Sequence, residues 1–289
     1  MNRVISVTGP GAGKPFSTLM MDRVPNLHTL DTSQCFPLYV YSPKYEEAGE
    51  IGLFGEDLGS GNHGRIDAVS DRGLIHFRAA YQSRDNGHSI TKEDLFYYIY
   101  GILHSPEYRE RYKNNLSKEL PRIPAVKKFA EFQAFSQAGR DLAHWHLDYE
   151  TVECYPVTLD FTGGPQKLSD CKDEHFYVRK MKPRRVKDAD TKKSIKDRTT
   201  VIYNEYITVR GIPLEAYDYV VNGKSAIEWV IERQAVTTDK KSGIVNDANL
   251  WATETMGNAR YPLELLQRII TVSLETMKIV NTLPALDID

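Results

Sequence analysis

Cysteine is scarce in this 289-residue chain: Cys35, Cys154 and Cys171 are odd in number and share no CxxC spacing. That speaks against a disulfide framework and for reduced thiols, so a cytoplasmic location is expected. No apolar run approaches the roughly 18 residues needed to cross a bilayer, and no membrane partner is expected. The N-terminus lacks a charged segment followed by an apolar one, which excludes a secretory leader of the usual form. Charge of one sign is also missing. The formal net charge is -2, which is not that of a general polyanion binder. There are no internal repeats.

Catalytic signatures are equally sparse. Thr8–Lys14, TGPGAGK, comes near a phosphate-binding loop. That loop needs Gly five residues before its Gly-Lys pair and Ser or Thr after it. Position 8 is Thr and position 15 is Pro, so a turn between strands is expected. Gly59, Gly61 and Gly64 form a GxGxxG, which a dinucleotide or S-adenosylmethionine site would place between a buried strand and a helix. Gly52–Leu58 is too broken by Gly and acidic residues to be that strand, and a loop is expected. His144 and His146 are two apart, so on a helix they point about 200° from each other and do not converge on one metal. A metal-dependent enzyme built on them would want an i, i+4 pair and more ligands. Helix-surface or capping roles are expected for both, and a helix C-terminal role for His104.

What is present is a mixture of strands and helices in blocks. Arg3–Thr8 and Phe36–Ser42 are strand candidates with Gly9–Pro15 as a loop between them, and Ser42–Asn62 reads as a loop-rich excursion. Asp71–Tyr81 has the spacing of a short amphipathic helix. Val152–Phe161, Glu174–Met181 and Thr199–Val209 read as strands, with Pro183–Arg198 as an exposed hairpin loop between the last two. Pro213–Val220 opens a helical part whose better helices are Ser225–Ala235 and Pro262–Thr282. The expected fold class is α+β, with mixed or antiparallel sheet elements and packed helical segments. The expected domain spans 1–284, divisible into lobes 1–150 and 151–284, with 285–289 as a C-terminal tail. Asn2–Val7 is strand-like from the outset, so the chain reads as beginning in mid-protein.

The clearest segment is Ile90–Arg122, which continues into Ile123 and Pro124. Thr91 with Asp94 three residues on is close to a capping box. Leu95, Ile99, Ile102 and Leu103 form one stripe, with Phe96 and Tyr100 beside it. Tyr97, Tyr98 and Tyr100 beside Leu and Ile are expected in the core rather than stacked on a ligand. Ser105 is a good N-cap, because Pro106 sits comfortably at the first helical position. A third helix is expected from about Ala125 to Leu147, with Phe129, Phe132, Leu142 and Trp145 as core contacts.

This helix pair, with FPLYVY at Phe36–Tyr41 and VNGKSAIEWVIERQ at Val221–Gln234, resembles the C-terminal target-recognition (specificity) domain of single-chain Type ISP restriction-modification enzymes. The resemblance runs from about Asn2 to about Pro284. It implies a module that recognises double-stranded DNA and positions a target adenine for a separate methyltransferase domain. The helicase and methyltransferase domains of the parent polypeptide would be its other partners. It implies no catalytic residues, no metal and no cofactor in this domain. S-adenosylmethionine, ATP and Mg²⁺ would be bound only by other domains. The sequence agrees in lacking an Asn-Pro-Pro-aromatic motif and a Walker A with a following Walker B.

The physical clue to DNA is a local charge imbalance. Arg179–Arg198 holds ten Lys or Arg and three Asp, a window of +7 within a chain of -2. Arg179, Lys180, Lys182, Arg184, Arg185, Lys187, Lys192 and Lys193 can contact phosphates or enter a groove as a β-ribbon. Arg184 or Arg185 can read guanine through two parallel hydrogen bonds. A solvated surface loop is the alternative for the same run. In the polar stretch Thr238–Asn249, the residues Lys240, Lys241, Ser242, Asn246 and Asn249 can approach phosphates or base edges. Asp239, Gly243 and Asn246-Asp247 equally suit a turn. The rival function is a docking domain that holds a helicase–methyltransferase assembly together and touches DNA little.

Overall fold

The computed structural model describes residues 2–26, 28–43, 63–81 and 89–288. The loop-rich excursion Ser42–Asn62, and Gly59 and Gly61 of the GxGxxG, therefore fall largely outside the described residues. The chain divides into two units, Met1–Ala143 with Leu283–Asp289, and His144–Thr282. Each combines helices with small antiparallel sheets, which makes the fold α+β.

In the first unit β1 (Val4–Val7) is the middle of a three-stranded sheet, between β2 (Thr18–Met21) and β3 (Gln34–Pro37). The strand expected over Phe36–Ser42 is split at Leu38. Upstream of it β3 pairs with β1, and downstream β4 (Tyr39–Pro43) pairs with β5 (His63–Asp67). Leu38 is buried, and its N–H donates to the Arg3 carbonyl at 2.7 Å. Burying that one side chain breaks the period-two alternation. The TGPGAGK segment is the turn between β1 and β2, and Gly13 N–H donates to the Asp31 carboxylate at 2.9 Å.

Helix α1 (Asp71–Ala80) starts at the Ser70 cap, whose hydroxyl accepts from Gly73 N–H. Helix α2 (Lys92–His104) carries the expected capping box in both directions between Thr91 and Asp94. Its tyrosines are all buried. The Tyr98 hydroxyl donates to the Pro124 carbonyl at 2.7 Å and accepts from Val126 N–H at 3.1 Å. The Tyr100 hydroxyl accepts from Met20 N–H at 2.8 Å. Burial pushes the Tyr98 phenol far above its ordinary value, so it stays protonated. These rings are scaffold. Ser105 closes α2 and caps α3 (Pro106–Arg111), and α4 (Lys113–Leu116) follows.

Helix α5 spans Phe129–Leu147, starting about one turn later than the sequence suggests. The residues ahead of it are held otherwise: Val126 N–H goes to Tyr98 and Lys127 N–H to the Asp287 carbonyl. Helices α2 and α5 approach at two glycines. A Cβ on Gly101 would lie 2.2 Å from the Phe135 carbonyl oxygen, and one on Gly139 only 1.9 Å from that of Tyr97. Tyr98 stacks on Phe132 at 4.6 Å, and the Arg140 guanidinium lies over Tyr97 while pairing with Glu93 and Asp94.

In the second unit the four-stranded sheet has the order β6-β9-β8-β7, antiparallel throughout. Its strands are β6 (Thr158–Phe161), β7 (Lys182–Lys187), β8 (Ser194–Ile202) and β9 (Ile207–Arg210). Four expectations shift here. Val152–Phe161 is strand only from Thr158, and Thr199–Val209 is divided by a turn between the end of β8 and the start of β9. Glu174–Met181 is not a strand: Asp173–Phe176 is a 3₁₀ turn, followed by extended chain with a lone bridge at Lys180. The basic run Pro183–Arg198, expected as a loop, is largely strand itself. The short ladder β10 (Val220–Val221) with β11 (Lys224–Ser225) leads into α6 (Ala226–Arg233), capped by the reciprocal Ser225–Glu228 box. A second hairpin follows, β12 (Val236–Thr238) with β13 (Val245–Asp247), then α7 (Ala248–Leu250) and the long α8 (Tyr261–Asn281). Val201 and Val209 from the sheet, with Tyr203 just past β8, share one core with Ile227 of α6 and Leu266 and Ile270 of α8. Burying each such aliphatic side chain contributes about 1.5–3 kcal/mol, which anchors the sheet to α6 and α8. Among the described residues no helix is long and apolar enough to cross a membrane.

Candidate nucleic-acid interface

The basic residues picked out by sequence are carried by two β-ribbons of the second unit. The first is β7–β8. Its register pairs Arg184 with Asp197, Arg185 with Lys196, Val186 with Ile195 and Lys187 with Ser194. Strand alternation sorts these onto two faces. One holds Val186 and Ile195 with Arg184 and Asp197; the other holds Arg185, Lys187, Lys196 and Ser194. Pro183, with no N–H for the ladder, sits at a register shift. Asp197 closes that bulge by accepting from Thr199 N–H and hydroxyl at 3.0 and 2.6 Å. Those bonds, the Thr199 hydroxyl foremost, hold its carboxyl below the ordinary range.

The basic face carries an electrostatic conflict. Arg185 lies directly across from Lys196, and like charges at that spacing oppose pairing. An anion lying along the face relieves the conflict. Arg185 is also pre-aimed, because its Nε donates to the Ser194 hydroxyl and its Nη2 to the Ser194 carbonyl, both at 2.9 Å. Arg184, Arg185, Lys187, Lys192, Lys193 and Lys196 are exposed, and none is within ion-pair distance of a carboxylate among the described residues. Lys196 belongs with the candidates, although only the strand register reveals it.

The two ribbon tips are the same turn. In the first, Asp188 Oδ1 accepts from Thr191 N–H at 2.7 Å, Thr191 hydroxyl at 2.8 Å and Asp190 N–H at 3.2 Å. In the second, Asp239 Oδ1 accepts from Ser242 N–H at 2.7 Å, Ser242 hydroxyl at 2.9 Å and Lys241 N–H at 3.0 Å. In both, the Asp N–H donates to the carbonyl five residues on, at 2.9 Å. The residue four after the Asp is left-handed: Lys192 at φ 55° and Gly243 at φ 71°. The sequence signal was D-x-x-[ST], present at both tips. Each carboxylate is held below its ordinary value, first by the backbone N–H of Thr191 or Ser242. The Ser242 hydroxyl is thus spent on the turn, which leaves Lys240 and Lys241 exposed at the tip.

Arg179 and Lys180 join the feet of the two ribbons. Val236 N–H donates to the Arg179 carbonyl at 3.0 Å, and Lys180 bridges Ala235; Lys182 then opens β7. Asn246 is exposed on β13. Asn249, grouped with it on sequence grounds, is buried instead. Its carboxamide accepts from Val178 N–H at 2.8 Å and donates to the Val178 carbonyl at 3.0 Å. The histidines do not converge: His144 pairs with Asp148, and buried His146 lies 3.0 Å from the Thr276 hydroxyl and stacks on Tyr219. Among the described residues no three His, Cys, Asp or Glu are grouped to hold a metal.

The second unit thus presents one strongly cationic ribbon, β7–β8, and one of mixed charge, β12–β13, and the fold has solved relatives. The chain is 31% identical, at TM-score 0.77, to part of an ATP-dependent Type ISP restriction-modification enzyme, LlaBIII, solved bound to DNA. It is 31% identical, at TM-score 0.71, to part of a nuclease-deletion mutant of the Type ISP enzyme LlaGI, solved with a DNA substrate mimic. A DrdV–DNA complex matches at TM-score 0.73 and 31% identity. All of this chain is covered in the first two and 98% in the third, yet it spans only 16%, 22% and 25% of those chains respectively. No functionally curated protein matches it. The family model for the Type ISP C-terminal specificity domain matches residues 1–267, and the chain belongs to that family.

Proposed function

We propose that this domain reads the sequence of double-stranded DNA for a Type ISP restriction-modification enzyme, and so positions a target adenine for a separate methyltransferase domain. The observation that carries the reading is the β7–β8 ribbon, whose exposed cations lie within ion-pair distance of no carboxylate among the described residues and whose own register sets Arg185 against Lys196. Exposed cations on a paired ribbon suit a polyphosphate, because each phosphate they neutralise releases condensed counterions. The domain contributes recognition, and the reaction belongs elsewhere. S-adenosylmethionine, ATP and Mg²⁺ are held by other domains of the parent enzyme, as are the adenine pocket and the motor. The domain alone neither methylates, hydrolyses ATP nor cuts.

The test replaces Lys180, Lys182, Arg184 and Arg185 by Ala in the intact enzyme and measures duplex affinity over a range of salt. Each lost phosphate contact lowers the slope of log K against log [salt] by about 0.9. Four lost contacts flatten it by roughly 3 to 4, so over a fourfold rise in salt the wild type loses on the order of a hundredfold more affinity than the variant. An unchanged slope and affinity would refute this placement and favour a docking role.

A further inference from the structure

At the foot of the second ribbon lies a shallow cleft of about 520 Å³, lined by Glu232, Arg233, Thr237, Asn246 and Asp247 among others. Thr237 and Asn246 are direct partners across the β12–β13 ladder, so their side chains share one face. Arg233 ends α6, and its guanidinium lies 5.3 Å from the centre of the Trp229 ring. Trp229 is itself fixed, its indole N–H donating to the Val221 carbonyl at 2.7 Å.

The polar groups here divide by whether they are spent on the frame. Asp247 accepts from Asn249 N–H at 2.8 Å and Asn249 Nδ2 at 2.7 Å, and so serves the scaffold. Glu232 is paired with Lys224. Arg233, Thr237 and Asn246 are exposed, with no side-chain hydrogen bond or ion pair among the described residues. Arg233 is held by a ring face, which leaves all five N–H donors unspent. Asn246 offers a donor and an acceptor side by side on a strand pinned by the Asp239 turn.

The charges show what such a site accepts. Lys224 offsets Glu232 and Arg233 offsets Asp247, so the cleft carries little net charge and draws a phosphate less than the β7–β8 ribbon does. A base edge, neutral and carrying donors next to acceptors, suits mixed chemistry. We infer that the two ribbons divide the work: β7–β8 holds phosphates, and the cleft reads base edges, Asn246 pairing with an adenine and Arg233 with a guanine. The inference rests on the DNA-reading function proposed above. It adds Arg233 and Thr237 to the recognition surface, with Thr237 packing beside Asn246.

The test uses the full chain and a pool of random-sequence duplexes, sequencing the bound fraction. The wild type should enrich one motif. Asn246→Ala should lose an adenine preference at one position and Arg233→Ala a guanine preference at another, each by about ten- to a hundredfold. Asn246→Asp keeps the size but supplies only acceptors, so the same position should move toward cytosine. Melting curves matching the wild type confirm that these exposed substitutions leave the fold intact. A Lys187→Ala, Lys192→Ala, Lys193→Ala variant should keep the motif and weaken binding to every sequence. If the cleft variants enrich the wild-type motif while the ribbon variant weakens binding, the cleft assignment is overturned and the DNA-reading function stands. If the wild type enriches no motif, the DNA-reading function itself falls.

Discussion

Replacing Gly139 by Ala tests the crossing on which the first unit is built. An added Cβ would lie 1.9 Å from the Tyr97 carbonyl oxygen, 2.8 Å from its carbon and 3.0 Å from Gly101 N. These are backbone atoms, which cannot swing aside, and a comfortable carbon–oxygen contact is about 3.3 Å. The helices must part by more than 1 Å or so, a gap that forfeits a quarter to a half of each dispersion contact along the seam. Overpacking of this kind costs about 1–3 kcal/mol, and two obstructing backbone segments place this site at the upper end. Ala returns about 1 kcal/mol through its better helix propensity. The net loss is therefore about 2 kcal/mol, a fall in Tm of roughly 4–8 °C for a chain of this size. Differential scanning calorimetry of the full chain measures it. Gly13→Ala, where the nearest atom is the Asp31 carboxylate at 3.8 Å, is the control and should melt with the wild type. A Gly139→Ala variant as stable as the wild type would refute the close crossing.

Other outcomes follow from the second unit. Asn249→Ala strips the buried N–H and carbonyl of Val178 of their partners, so urea unfolding should show a loss of about 3 kcal/mol. A loss below about 1 kcal/mol would mean that Val178 is satisfied in another way. The ribbon tips should loosen in acid. Asp188 and Asp239 are held below their ordinary value of 3.8, so their stabilisation is complete above that value and lost as pH falls through the depressed one. The Thr191 and Ser242 amide resonances should titrate with midpoints below 3.8, and in Asp188→Asn and Asp239→Asn neither should respond. Midpoints at or above 3.8 would contradict the turn geometry.

Much of the scaffold was legible because it is encoded locally. The Thr91–Asp94 box, the Ser105-Pro106 junction and α8 each follow from residues within a few positions of one another. The errors lie where distant residues decide. The stretch before β7 reads as a strand from its apolar content. The chain there is instead tied down by the carboxamide of Asn249, 71 positions away from Val178. The ribbon β7–β8 is hidden by its charges: Lys and Arg dominate one face, Arg184 and Asp197 interrupt the other, and period-two alternation survives only in Val186 and Ile195. For the same reason Lys196, Arg233 and Thr237 went unnoticed as candidates. The roles of Lys196 and Thr237 depend on which residue lies opposite, and that of Arg233 on where α6 packs; both are tertiary properties. The twin D-x-x-[ST] tips were readable in principle, since the geometry needs only an acceptor and a hydroxyl three residues on.

Hydrogen exchange of the full chain, with and without duplex DNA carrying its preferred motif, tests the central claim most directly. Slowed exchange should concentrate in 182–202 and 235–249, the two ribbons and the cleft between β12–β13 and α6. Slowing that is absent there and confined to the α2–α5 side of the first unit would contradict the account.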